Sequence, residues 1–107
     1  MKNLKAAGFV ETLTKKQKSA VKSNITRSLK LLNGGKNWIV EDYEDFGGNY
    51  CMMGAIEKAN GAGELATKCL LSFLVAPYDT VELFNDAKNR RFRDVEAKFN
   101  QALKLLS

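Results

Sequence analysis

Residues 14–35 read TKKQKSAVKSNITRSLKLLNGG. Thr14 followed by Gln17 is a capping-box pattern, in which the hydroxyl accepts from the third amide of a helix and the Gln17 side chain reaches back to the cap. Val21, Ile25, Leu29 and Leu32 recur at spacings of four, four and three, which is one apolar face of a helix. Lys15, Lys16, Lys18, Lys22, Arg27 and Lys30 fall around the remaining surface. Asn33-Gly34-Gly35 ends the helix, because glycine enters a left-handed cap without strain. The three lysines of the first turn oppose the helix dipole. That local conflict favours a functional reason for their placement.

Outward from this helix, the sequence predicts further helices and few strands. Residues 1–13 show no clear period and are expected to form an irregular arm that packs Leu4, Phe9 and Val10 on the body. Trp38-Ile39-Val40 reads as a short strand or extended segment anchored by its indole. Gly47-Gly48 marks a turn. A helix is expected from about Tyr50 to Ala59 with Asn49 as N-cap, its small Gly54 and Ala55 admitting a second helix closely. Another runs from about Glu64 to Val75, with Leu65, Cys69, Leu70, Phe73 and Leu74 apolar on more than one side and Pro77 as its stop. Asp79 and Glu82 suggest a capping box opening a short helix through Val81, Leu83 and Phe84. Phe92, Val95, Phe99, Leu103 and Leu106 give the last helix its stripe. The expected fold is mainly α, a compact single-domain bundle of four to five helices over residues 1–107, with one short β element near 38–40.

Composition narrows the chemistry. The 107 residues include two cysteines and no histidine. Without histidine there is no Ser-His-Asp or Cys-His nucleophile system and no His-ligated zinc. Two cysteines make neither a four-thiolate site nor a disulfide scaffold. No apolar run approaches the roughly 20 residues of a membrane span, so the chain is expected to be soluble and cytoplasmic with reduced thiols. The net charge of +5 is unevenly spread: residues 1–37 carry nine Lys or Arg against one acid, and residues 38–65 six acids against one lysine. Either the acidic middle partly neutralises the basic helix, or the basic face is free for nucleic acid or an acidic protein. Glu41, Asp42, Glu44 and Asp45 fail as a calcium loop. A loop started at Asp42 has Phe46 and Met53 where oxygen ligands are needed. No metal and no cofactor is expected.

The chain resembles a small uncharacterised family of bacterial and phage proteins, a domain of unknown function. The resemblance spans about residues 20–105. It rests on Leu32-Asn33-Gly34-Gly35, Trp38, Tyr50-Cys51-Met52-Met53-Gly54-Ala55-Ile56, Phe84-Asn85-Asp86, Arg90 and Val95. Phe84 stands where a tryptophan is common in the family, and Arg91 where a helix-capping threonine is. The resemblance implies a fold and a bacterial or phage setting, and nothing catalytic.

Cys51 is the strongest nucleophile candidate, near a helix N-terminus that can depress a thiol pKa. With no histidine as base, it reads as a buried hydrophobe, as does Cys69. Asn85-Asp86 reads as a turn and cap, with a polar constellation with Asn89 and Arg90 as the alternative. The candidate binding residues are Lys15, Lys16, Lys18 and Lys22 on the basic helix and Lys88, Arg90, Arg91 and Arg93 on a basic turn. The leading expectation is a non-enzymatic binding protein, a phage or mobile-element accessory that occupies a host macromolecule. A protein partner is favoured, a host-defence component among them. The alternative is nucleic-acid binding through both basic surfaces lying on one face, with Tyr78 or Phe92 exposed between them. A homodimer through Met52 and Met53 is a third reading.

Overall fold

The computed structural model describes residues 4–107. Six helices follow one another: α1 (Leu4–Glu11), α2 (Lys15–Leu32), α3 (Met52–Ala59), α4 (Glu64–Leu74), α5 (Val81–Asn85) and α6 (Phe92–Leu106). One core runs through all of them, from Ala6 and Val10 through Val21, Ile25 and Leu71 to Phe99 and Leu106. The fold is mainly α, as expected.

Helix α2 forms where its signals place it. Thr14 Oγ1 accepts from Gln17 N at 3.1 Å, and Gln17 Oε1 accepts from Thr14 N at 2.8 Å. Val21, Ile25 and Leu32 are fully buried. The left-handed cap falls one residue earlier than a glycine cap, at Asn33 (φ 50°). The buried face also holds two polar residues, Asn24 and Ser28. Asn24 Nδ2 donates to the α3 carbonyl of Ile56 at 3.2 Å and to that of Asn60 at 2.8 Å. It thereby satisfies the Asn60 carbonyl beyond the end of α3 and adds a second bond to Ile56 O, which also accepts from Asn60 N at 3.2 Å.

Several expectations need correction. From Leu4 onward the N-terminal arm is helix, with residues 1–3 outside the described part. Eight residues form a marginal helix alone. α1 is held by burying Ala6 and Val10 and by the Phe9–Phe73 ring contact at 5.9 Å, while Leu4 stays exposed. α4 is the hub, packed against all five other helices, yet Leu65 is exposed and Cys69 only half-buried. Its buried line is Thr67, Leu70, Leu71 and Leu74. The α5 cap is Thr80, whose side chain accepts from Leu83 N at 3.0 Å, and not Asp79. Met52 is fully buried and Met53 packs against the core, which removes the expected methionine patch. Trp38 and Tyr50 form only an isolated bridge.

Replacing Thr14 by Ala removes the α2 cap and is expected to cost about 1 kcal/mol. Chemical denaturation should show the lower midpoint with an unchanged slope.

Candidate functional site

Residues 36–51 carry the chain from α2 to α3 without regular structure, and three of the seven large apolar side chains exposed among the described residues, Val40, Tyr43 and Phe46, lie there. Asn85, at the end of α5, fixes this segment. Its Oδ1 accepts from the Trp38 indole Nε1 at 2.7 Å and from Met52 N at 3.1 Å. Its Nδ2 donates to Ile39 O at 3.1 Å and to Asp86 Oδ1 at 2.8 Å. A carboxamide has two acceptor and two donor positions, and all four are used. Asp86 Oδ1 also accepts from Glu41 N at 2.9 Å. The Asn85-Asp86 pair therefore does more than turn the chain: it fastens the loop and the first turn of α3 to α5.

The other end of the loop is held by α3. Cys51, and not Asn49, is the N-cap: its Sγ accepts from Gly54 N at 3.3 Å. Cys51 N donates to Tyr43 O at 3.2 Å. That carbonyl lies so close to α3 that a Cβ on Gly54 would stand 1.7 Å from it. Gly54 thus admits the loop backbone, where a second helix was expected. Asn49 works inside the loop. Its Nδ2 donates to both oxygens of Asp45, at 3.2 and 3.0 Å, and its Oδ1 accepts from Asn37 at 3.0 Å. These bonds hold the Asp45 carboxyl below the usual carboxylate range. Burial pushes the Cys51 thiol up, away from the reactive thiolate.

Within this frame Val40, Tyr43 and Phe46 are exposed, as is Leu83 on α5. Phe46 has a relative exposure of 112%, so its ring has essentially no protein contact. The Tyr43 hydroxyl donates to Glu82, and that bond pushes the phenol up to about 12.

The basic residues are distributed differently from the expectation. Lys15, Lys16, Lys18 and Lys22 lie on the N-terminal half of α2. Among the described residues none of them has an ion pair. Two of the four acids of 41–45 turn elsewhere: Glu44 approaches Lys58 at 3.9 Å, and Asp45 bonds Asn49. Arg90 is not a free cation. Its Nε donates to Phe84 O at 2.7 Å, its guanidinium lies 3.8 Å above the Phe84 ring, and Nη1 stands 3.8 Å from Asp94. Arg91 precedes α6, where its N–H donates to Asp94 Oδ2 at 3.0 Å. Lys88, Arg91 and Arg93 are exposed. Phe92 packs on Trp38 and against Gly35, and Tyr78 meets Phe84 edge-on beneath Arg90. Neither is a bare stacking platform. The Phe92–Gly35 contact places the basic turn at the C-terminal end of α2. At 1.5 Å per residue that end of α2 is about 15 Å from Lys22 and about 25 Å from Lys15. The two basic clusters are therefore not brought together.

A family model described as a family of unknown function (DUF6197) matches residues 18–105. The chain belongs to that family. Neither the curated proteins nor the solved structures gave a match. Trp38, the Cys51–Ile56 turn and Asn85-Asp86, which carried the resemblance in the sequence, meet at the Asn85 carboxamide. Phe46 gave no signal beyond its place among acids and glycines. Asn24 had none, because an asparagine on an apolar stripe reads as a surface residue.

Replacing Asn85 by Ala leaves the Trp38 and Met52 N–H groups and the Ile39 carbonyl without partners. At ~1–3 kcal/mol per buried unsatisfied group, a loss of about 3 kcal/mol or more is expected in denaturant unfolding, with Trp38 fluorescence shifted to the red. Tyr43 is protonated more tightly when folded, so its contribution to stability is intact below about pH 10. It is lost as pH rises toward 12. Spectrophotometric titration should show one phenol ionising late, and Glu82→Gln should bring it back toward 10.

Proposed function

We propose that the protein is a non-enzymatic binding module that occupies a protein partner through the loop 39–50 and the adjoining face of α5. The observation that carries this reading is Phe46, wholly exposed at the tip of a loop fastened at both ends. An exposed aromatic on a braced backbone suits an interface anchor, because little backbone entropy remains to be lost on binding. Val40, Tyr43 and Leu83 extend the apolar surface, and Glu41, Asp42, Glu44 and Asp45 suit a basic partner surface. Lys15, Lys16, Lys18 and Lys22 form a separate cationic surface at the far end of α2.

The non-enzymatic part of the reading is supported by the missing histidine and by the structural employment of Cys51 and Asp86. The bacterial and phage character of the resembling proteins supports an accessory role in a bacterial cytoplasm, directed at a host component such as one of its defences. Among the described residues no helix is long and apolar enough to cross a membrane. The nucleic-acid reading weighs less, because Arg90 is engaged internally and the remaining basic clusters are far apart.

Pull-down from host lysate with and without nuclease tests the proposal. A captured protein should persist after nuclease treatment. Phe46→Ala should weaken it by about thirtyfold, the loss of one interface hot spot, whereas Lys15→Gln with Lys16→Gln should not. Nuclease-sensitive capture lost with the lysine variant would instead favour nucleic acid.

A further inference from the structure

Arg27, Lys30 and Leu31 on α2, with Lys58 and Ala59 on α3, line an open groove of about 480 Å³. That is within the usual size of small-molecule sites, roughly 300–1,000 Å³. Three of the five residues are cations, drawn from two helices, and the other two give the groove an apolar side. Arg27 is fixed in place: its Nε donates to Ser23 O at 3.4 Å and its Nη2 to Asn60 O at 3.1 Å. The guanidinium lies against Gly61, where a Cβ would stand 2.6 Å from Nη2. Its Nη1 has no hydrogen-bond partner among the described residues. No acid there pairs with Arg27 or Lys30. Lys58 has only Glu44, at 3.9 Å with both side chains about half exposed, a pair that contributes little.

We infer that this groove binds a small phosphorylated molecule, its phosphate groups held by Arg27, Lys30 and Lys58 and its organic part against Leu31 and Ala59. Three cations with one weak counter-charge suit a ligand carrying two or more negative charges. The forked donor set of arginine matches phosphate oxygens. The site suits a compact ligand over a nucleic-acid strand for two reasons. At about 100° and 1.5 Å per residue, Lys15, Lys18 and Lys22 lie roughly 140–180° around α2 from Leu31, and Lys16, on the groove's side of the helix, stands about 16 Å along the axis from Arg27, so the groove does not continue into the lysine cluster. On the α3 side Glu44 stands next to Lys58, where a polyanion would meet the acidic loop.

Titration of the full chain with pyrophosphate and with adenosine diphosphate, followed by amide NMR, tests this. Expected are saturation with a dissociation constant at or below about 1 mM and shifts confined to residues 27–31 and 58–61. Adenosine diphosphate should bind more tightly than pyrophosphate. Because Arg27 also holds the α3–α4 turn, the variants are the exposed Lys30→Gln and Lys58→Gln. Each should weaken binding about fivefold or more, while Glu44→Gln strengthens it. Absence of saturation, unchanged affinity in both lysine variants, or equal shifts at Lys15–Lys22 overturns the site. Adenosine diphosphate no tighter than pyrophosphate overturns the apolar contact. A single-stranded oligonucleotide that outcompetes both probes overturns the compact ligand.

Discussion

The carboxamide of Asn85 is the joint on which the irregular segment between α2 and α3 depends. It bonds the indole of Trp38, the backbone of Ile39, the first amide of α3 and the neighbouring Asp86. Each partner comes from a segment that cannot satisfy itself: a loop without a ladder, and a helix N-terminus whose first amides have no intrahelical acceptor. One fully bonded polar group in a water-excluded position resolves these needs together. It also sets a geometry more sharply than apolar packing does, since every alternative placement leaves a buried group unpaired. Phe46 can stand exposed without the loop collapsing because both ends of that loop are already determined.

The parts of this fold visible in the sequence are those decided locally. The Thr14–Gln17 box, the α2 stripe and the α6 stripe each depend on residues three or four positions apart, and all three form. The missed parts are decided by distant partners. The α1 segment shows no clear period, and becomes helical because Ala6 and Val10 find the core. Cys51 takes the capping role expected of Asn49, because Asp45 and Asn37 already occupy the asparagine. Thr80 caps α5 where Asp79 was expected, and both are ordinary capping residue types, so composition alone could not separate them. Leu65 stays exposed because α4 turns Thr67, Leu70, Leu71 and Leu74 inward, and the polar Thr67 sits on that buried line only because its hydroxyl reaches Gly63 O at 2.8 Å.

Charge behaves in the same way. Counted along the chain, Arg90 belongs with Lys88, Arg91 and Arg93 in a basic turn. In the fold it is a packing residue: the flat guanidinium covers Phe84 and satisfies that residue's carbonyl, as arginine does where lysine would not. Conversely, Lys58 is isolated in an acidic stretch of sequence, yet α3 packs on α2 and brings it beside Arg27 and Lys30. A linear charge count thus overstates one cationic surface and misses another, because it cannot see which helices are neighbours.

The separation of charge along the chain therefore survives folding in altered form. Had the acidic loop lain along the basic turn of α2, the two would have cancelled, and the lysines opposing the α2 dipole would have been explained by intramolecular pairing. Instead the acids at 44 and 45 are turned to Lys58 and Asn49, and Lys15–Lys22 face solvent without counter-charges among the described residues. The unfavourable placement of three cations at a helix N-terminus is thus uncompensated inside the molecule. The capping box relieves the orphan amides but not the charge. This leaves a surface whose electrostatic cost is met within the fold only by the core beneath it, and an acidic, aromatic-tipped loop that follows the opposite end of α2.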